Sequence, residues 1–219
     1  VSYPGVALPR SVPGIAYGLW HHGRFPSELL EWHGHNDFHK AVVNAATAWL
    51  YGISAASCTL LGIGERTGNT PLEAMVIEYA GLRGTLDGMN PAVITDIADY
   101  YRIELGYEIP PMTPLVGADF NTTRAGIHAD GLLKDNEIYT IFDTEKLLRR
   151  KARVAVNQSS GAAGLLHWIR SEYHLPTDNG LDKRDPRLAV ILDWIESEYQ
   201  EGRVSSISDG ELHEKLRTL

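Results

Sequence analysis

Two strand-to-helix transitions follow one another in the first third of the chain, and this repeat most constrains the fold. An extended stretch from Leu30 to His35 precedes residues 42–49, where apolar side chains recur at helical spacing. A second extended stretch, Ser54 to Leu61, precedes a helix that we predict over Pro71 to Arg83. Strands that alternate with helices are typical of parallel α/β sheets and barrels. The pattern therefore predicts an α/β fold.

Two histidines stand at the end of the first extended stretch. His33 and His35 are two positions apart, so both imidazoles project from one face of an extended segment and could hold one metal ion. The same spacing also fits a pair of surface or core histidines. Asn36 and Asp37 end the extended run and are predicted to cap the following helix. A strand that delivers ligands at its C-terminal end and then turns into a helix is typical of the active edge of an α/β barrel.

A glycine-rich loop follows the second extended stretch. Three glycines within residues 62–68 permit close approach of the backbone to a ligand, or positive φ angles. A tight turn without a ligand would use the same residues. Beyond the loop, Thr70 is predicted as the N-cap of the next helix, with Pro71 at its first position and Glu73 completing a capping box.

Both motifs resemble those of one enzyme family. Residues 33–37 (HGHND) and 62–69 (GIGERTGN) are similar, in this order, to the seventh- and eighth-strand motifs of the 2-isopropylmalate synthase, homocitrate synthase and (R)-citrate synthase family. Its members are metal-dependent, Claisen-condensing barrel enzymes. The resemblance implies that His33 and His35 bind the metal and that Asn69 completes or supports the metal site.

Two later segments extend the resemblance. Residues 124–131 are similar to the family segment that presents a catalytic histidine to the partner subunit, which implies this role for His128. Residues 138–143 resemble the segment that carries an active-site tyrosine, which implies that role for Tyr139. Without the family, His128 would be an ordinary surface or core histidine and Tyr139 a packing residue.

The resemblance implies an α/β fold that consists of the C-terminal part of a TIM (β/α)8 barrel, its last two strands, followed by a mostly helical C-terminal subdomain. We predict a barrel portion with the metal-binding motifs over residues 1–89, a helical linker over residues 90–117, and a helical subdomain over residues 118–219 that contributes to a partner's active site. The first residues are predicted as a loop, before a helix from Ser11 to about His22. Six barrel strands, with an acidic third metal ligand, would then lie outside this sequence.

Further helices are predicted on apolar periodicity. They cover residues 92–105, a segment opening at Ser159 and continuing through Ile169, and a segment from Leu188 to Tyr199. Between the first two, residues 107–117 contain three prolines and are predicted to connect the domains.

Composition limits the other classes of function. The chain of 219 residues has a net charge of −8, which disfavours binding to a nucleic-acid backbone. It has no apolar run of the ~20 residues needed to cross a bilayer, and its one cysteine, Cys58, has no partner for an internal disulfide. We therefore expect a cytoplasmic enzyme with no nucleic-acid and no membrane partner.

The resemblance implies an acyltransferase that condenses acetyl-CoA, its cosubstrate, with a 2-oxo acid, using a divalent cation (Mn, Mg, Co or Zn). Residues 32–40 are most similar to the (R)-citrate synthase group, which favours oxaloacetate over 2-oxoglutarate or 2-oxoisovalerate. The resemblance also implies a homodimer with exchanged C-terminal subdomains. Two alternatives stay open. A hydroxymethylglutaryl-type lyase would share the two histidines but lack the His128 segment, and a non-catalytic interaction module would be part of a split enzyme.

Overall fold

The structure is a computed structural model that describes residues 2–3, 6–124, 131, 142–176 and 180–218. The chain divides into two compact units, residues 1–117 and 118–219, and each is described here by itself. The predicted catalytic residues His128 and Tyr139 lie outside the described residues.

A three-stranded parallel sheet forms the centre of the first unit. Its strands, in spatial order, are β1 (Ser2–Tyr3), β2 (Glu31–Gly34) and β3 (Ala55–Ser57). The sequence predicts two strands here and a loop at the start of the chain. That prediction is wrong for residues 2–3, because they pair in register with residues 33–34 of β2. Two residues carry no periodicity, so only the pairing reveals this strand.

The second predicted strand is shorter than expected. The sequence predicts extended backbone to Leu61, whereas β3 ends at Ser57 and a 3-10 turn occupies Leu60–Gly62. Leu61 adopts a left-handed backbone conformation with φ 57° inside this turn, which breaks the extended run.

The helices of the first unit are α1 (Val12–Tyr17), α2 (Ala41–Leu50), α3 (Leu72–Arg83) and α4 (Val93–Ile103). Of these, α2 packs against β2 and β3, and α1 and α3 pack against α2. The helix predicted from Ser11 to His22 is α1 with a 3-10 turn before it and a π-helical turn after it. Trp32 of β2 is fully buried in the apolar core of this unit, which fixes the pleat of β2. The histidines at positions 33 and 35 are therefore placed on the opposite face of the strand.

The predicted capping box at the start of α3 is wrong. The residue before the first turn is Pro71, and no side chain caps the helix. Thr70 is fully buried, and its hydroxyl has no hydrogen-bond partner among the described residues. Glu73 accepts a hydrogen bond from the backbone N–H of Leu61 at 3.1 Å instead, so it supports the preceding turn rather than the helix end.

The second unit is mostly helical around one apolar core. Its strands β4 (Thr122–Thr123) and β5 (Arg153–Val154) pair in parallel. Its helices are α5 (Thr144–Leu148), α6 (Gly161–Glu172), α7 (Pro186–Gln200) and α8 (Asp209–Arg217). The structure confirms the two predicted helices, α6 and α7, and adds α5 and α8. That helix opens with a complete capping box between Ser208 and Glu211.

Among the residues that the structure describes, no helix is both long enough and apolar enough to span a membrane.

Candidate metal centre

The two histidines and the asparagine come from consecutive strand-to-helix connections. His33 lies within β2, and His35 follows its last residue. Asn69 lies at the end of the glycine-rich loop and forms an isolated antiparallel bridge with His35. The sheet therefore delivers two side chains from one connection and a third from the next.

The three side chains converge on one point. The amide nitrogen Nδ2 of Asn69 lies 3.4 Å from Nε2 of His33 and 3.5 Å from Nδ1 of His35. It also lies 3.3 Å from the carbonyl oxygen of Gly34. The two imidazole rings are nearly perpendicular, with their centroids 4.9 Å apart. One nitrogen of each ring therefore faces the same small space.

The residues present fit a divalent cation. Imidazole nitrogens are common ligands of transition metals, and an amide binds a cation through its oxygen. Asn69 would therefore act as a ligand with its amide turned so that the oxygen, not the nitrogen, faces the two rings. Among the described residues, no group of three His, Cys, Asp or Glu side chains could hold a metal ion. The centre that this part of the chain offers is two imidazoles and one amide.

Glycines 64 and 68 make room for Asn69. A Cβ atom on Gly64 would lie 1.7 Å from Oδ1 of Asn69, so any side chain there would displace the amide. Gly68 has φ 96°, and a Cβ atom on it would lie 2.3 Å from the carbonyl oxygen of Gly62. The same oxygen accepts a hydrogen bond from the backbone N–H of Asn69 at 2.9 Å. The loop therefore needs glycine for close packing and for its left-handed backbone.

Asp37 and Arg66 connect the two loops. Nε of Arg66 donates to Oδ1 of Asp37 at 2.7 Å, and Nη2 donates to Oδ2 at 2.9 Å. The Arg66 guanidinium holds the pKa of the Asp37 carboxyl below its ordinary value, chiefly through these hydrogen bonds. Asp37 does not cap α2 as predicted, whereas Oδ1 of Asn36 accepts a hydrogen bond from the first N–H of that helix, on Ala41, at 3.3 Å.

Ser57 and Glu73, which the sequence does not assign to this site, contact one of its histidines and the turn that precedes its loop, respectively. Ser57 Oγ lies 3.2 Å from Nδ1 of His33, and these residues are register partners across β2 and β3. Glu73 is buried next to the turn at Leu61, and burial raises the pKa of its carboxyl. Aligning the two predicted strands in parallel would have placed Ser57 opposite His33. No signal in the sequence indicates that the Glu73 side chain faces the preceding turn.

Comparison with known proteins agrees with these motifs. Residues 5–100 match the family described as HMGL-like. The chain is 54% identical over 217 residues to the Citrate (Re)-synthase of Syntrophus aciditrophicus, which covers 99% of the chain and 34% of that protein. It is 52% identical over 212 residues to the Citrate (Re)-synthase of Clostridium kluyveri, which covers 97% of the chain and 47% of that protein.

A third relative is the 2-phosphinomethylmalate synthase of Streptomyces hygroscopicus, 38% identical over 96% of the chain and 47% of that protein. The chain thus spans between a third and a half of the length of these three relatives. These comparisons confirm the family resemblance of the two motifs. The chain is therefore a relative of the citrate (Re)-synthases, and its residues 5–100 belong to the HMGL-like family.

Proposed function

We propose that this chain carries the metal-binding part of an acyltransferase that condenses acetyl-CoA with oxaloacetate to give citrate. The observation that carries this proposal is the convergence of His33 and His35 on the amide of Asn69. The identity of 52–54% to two citrate (Re)-synthases supports citrate as the product and oxaloacetate as the 2-oxo acid. Other 2-oxo acids, 2-oxoglutarate and 2-oxoisovalerate, are the competing substrates.

In this proposal β1, β2 and β3 are consecutive strands of a TIM barrel, one more strand than the sequence predicts. Their parallel pairing and the position of His33 and His35 at the C-terminal end of β2 support this arrangement. Residues 1–89 would form the barrel portion, residues 90–117 a helical linker and residues 118–219 a subdomain that completes a partner's active site. The active form would be a cytoplasmic homodimer with exchanged subdomains.

A divalent cation (Mn, Mg, Co or Zn) bound here would supply Lewis-acid polarisation of the 2-oxo acid's carbonyl group. His33 and His35 would hold it through Nε2 and Nδ1, the nitrogens that face Asn69. The Asp37–Arg66 pair would keep the two loops together while substrates bind and leave. His128 would transfer a proton, and Tyr139 would hydrogen-bond the substrate or orient that histidine.

The test is release of coenzyme A, followed with a thiol reagent, by the complete enzyme of which this chain is proposed to be the metal-binding part. Acetyl-CoA is supplied with oxaloacetate, 2-oxoglutarate or 2-oxoisovalerate in the presence of each of the four cations. Oxaloacetate-dependent release, with citrate identified as the product, is the expected result. Cleavage of hydroxymethylglutaryl-CoA without any condensation would favour the lyase instead. Metal binding with neither reaction would favour the interaction module of a split enzyme.

A further inference from the structure

The imidazole of His33 has a partner at each of its two ring nitrogens. Nδ1 lies 3.2 Å from Oγ of Ser57, and Nε2 lies 3.4 Å from Nδ2 of Asn69. His33 and Ser57 are opposite each other in the β2–β3 pairing. The hydroxyl is therefore placed by the sheet itself, whereas Asn69 is placed by a loop.

The hydrogen-bond roles at His33 follow from one fixed acceptor. In the metal-free chain, the carbonyl oxygen of Gly34 can only accept, so the Asn69 atom 3.3 Å from it is the amide nitrogen. The same NH2 group faces Nε2 of His33, which must therefore present a lone pair. A neutral imidazole carries one N–H, so the proton of His33 lies on Nδ1. That N–H points to Ser57 and donates to its hydroxyl oxygen.

We infer that Ser57 is a positioning residue of the metal centre: by accepting the Nδ1–H of His33, it keeps the Nε2 lone pair directed at the position a cation would take. The use of this lone pair for a cation rests on the proposed function. The tautomer itself is a property of the metal-free chain. Partners of this kind fix ring orientation and tautomer in known metal sites, and removing one typically weakens metal binding by about 10- to 100-fold.

The first test measures the tautomer without any metal. Two-bond proton–nitrogen correlation spectra of the metal-free full chain, labelled with 15N-histidine, distinguish Nδ1–H from Nε2–H imidazoles. The chain has nine histidines, so the spectrum of His33→Ala assigns the His33 signals. The wild type and Ser57→Thr are expected to show Nδ1–H at His33. Ser57→Ala is expected to keep Nδ1–H, because the Asn69 NH2 group still faces Nε2, but to shift the His33 Nδ1 resonance, because that N–H loses its acceptor.

Two results of this test would overturn the inference. One is a wild-type His33 that carries its proton on Nε2, and the other is a His33 spectrum that Ser57→Ala leaves unchanged. Thermal melting of each variant checks that it folds. If Ser57→Ala does not fold, the wild-type spectrum still decides whether the proton of His33 lies on Nδ1.

The second test measures cobalt affinity by titration of the full chain. Ser57→Ala should bind cobalt about 10- to 100-fold more weakly than the wild type, and Ser57→Thr should keep most of the affinity because it keeps the hydroxyl. Ser54→Ala is the matched control. Its hydroxyl donates to the carbonyl oxygens of Glu28 and Leu30, away from both histidines, so its loss should leave cobalt affinity unchanged.

Equal cobalt affinity in Ser57→Ala and the wild type would overturn the role of Ser57 at the metal centre. A wild-type chain that binds none of the four cations would overturn the proposed function. In that case the spectra of the metal-free chain still decide whether Ser57 accepts the Nδ1–H of His33, so the two failures are distinguishable.

Discussion

Arg66 holds Asp37 at two points, with nitrogen–oxygen distances of 2.7 and 2.9 Å, although the two residues are 29 positions apart. The pair joins the loop after His35 to the glycine-rich loop that carries Asn69. A backbone hydrogen bond from Asn36 N–H to the Gly68 carbonyl, at 2.9 Å, runs between the same two loops. The candidate metal centre is therefore assembled by contacts between loops as well as by the sheet.

Asp37→Asn should lower the melting temperature at neutral pH. The pKa of Asp37 is lower in the folded chain than its ordinary value. The contribution of the Asp37 carboxylate to the stability of the fold is therefore fully present above the unfolded pKa of about 3.9. It is lost as pH falls through the lowered folded pKa. Melting curves at neutral and acidic pH should therefore show a difference from the wild type that shrinks as the solution is acidified.

Asp99→Asn is the control for that prediction, because Asp99 forms an exposed ion pair with Arg102 on α4 at 2.9 Å. Exposed ion pairs of this kind contribute little to the free energy of unfolding. A drop in melting temperature as large for Asp99→Asn as for Asp37→Asn would show that the loop pair has no special importance.

The double variant His33→Ala/His35→Ala should lose bound metal. Without both imidazoles, the described part of the centre keeps only the Asn69 amide, which is a weak ligand by itself. Elemental analysis after dialysis against each cation measures the effect. His21→Ala/His22→Ala removes two exposed histidines elsewhere and should keep the metal. Equal metal content in the wild type and the His33/His35 variant would contradict the assignment.

Gly64→Ala should weaken metal retention strongly, because its Cβ would lie 1.7 Å from Oδ1 of Asn69 and displace the amide. Gly81→Ala provides the comparison. A Cβ on Gly81, inside α3, meets no atom within 4 Å, and alanine in a helix is favoured by about 1 kcal/mol over glycine. It should melt higher than the wild type with metal retention unchanged. Retention that Gly64→Ala leaves at the wild-type level would show that Asn69 is not needed.

Glu73→Gln should raise the melting temperature at neutral pH. Burial raises the folded pKa of Glu73, so the folded chain favours the neutral acid. The stability from the neutral form is fully present below the unfolded pKa and is lost as pH rises through the folded value. The gain from glutamine should therefore be present at neutral pH and vanish in acid. A loss of stability at neutral pH would mean that the hydrogen bond from Leu61 N–H requires the charge.

Mixed inactive variants test the proposed exchange of subdomains. Heterodimers of His33→Ala and His128→Ala regain one site with all its parts. At random reassortment about half of the dimers are heterodimers, so roughly a quarter of the wild-type activity should return. Verified heterodimers with no more activity than the single variants would rule out a histidine that acts on its partner's site.

The motifs in the sequence predict His33, His35 and Asn69 as one site, and the structure brings these three side chains together. Their role as metal ligands stays a prediction. The sequence did not predict the partner of Asp37. Local reasoning assigned that carboxylate to the nearest helix start, whereas its partner Arg66 comes from a distant loop. Strand β1 was missed for a similar reason, since two residues form a strand only through pairing with β2.

Two other differences between prediction and structure are the early end of the second strand and the presence of helix α8. The left-handed conformation of Leu61 ends the second strand early, and leucine gives no indication of it. Helix α8 was not predicted, although Ser208 and Glu211 have capping-box spacing. Its short, polar sequence carries little apolar periodicity, so the cap was the better indicator.

The glycine-rich loop is held to the histidine loop by the Arg66–Asp37 pair, the Asn69 amide and the main-chain bond from Asn36 to Gly68, and this has a consequence for how such a chain can diversify. The exposed side chains of Ile63 and Thr67 take no part in the bonds that place Asn69. Replacements at such positions could reshape the approach to the centre while the ligand atoms stay where they are. A scaffold of this kind can acquire a new substrate by small surface changes and retain its reactive centre throughout.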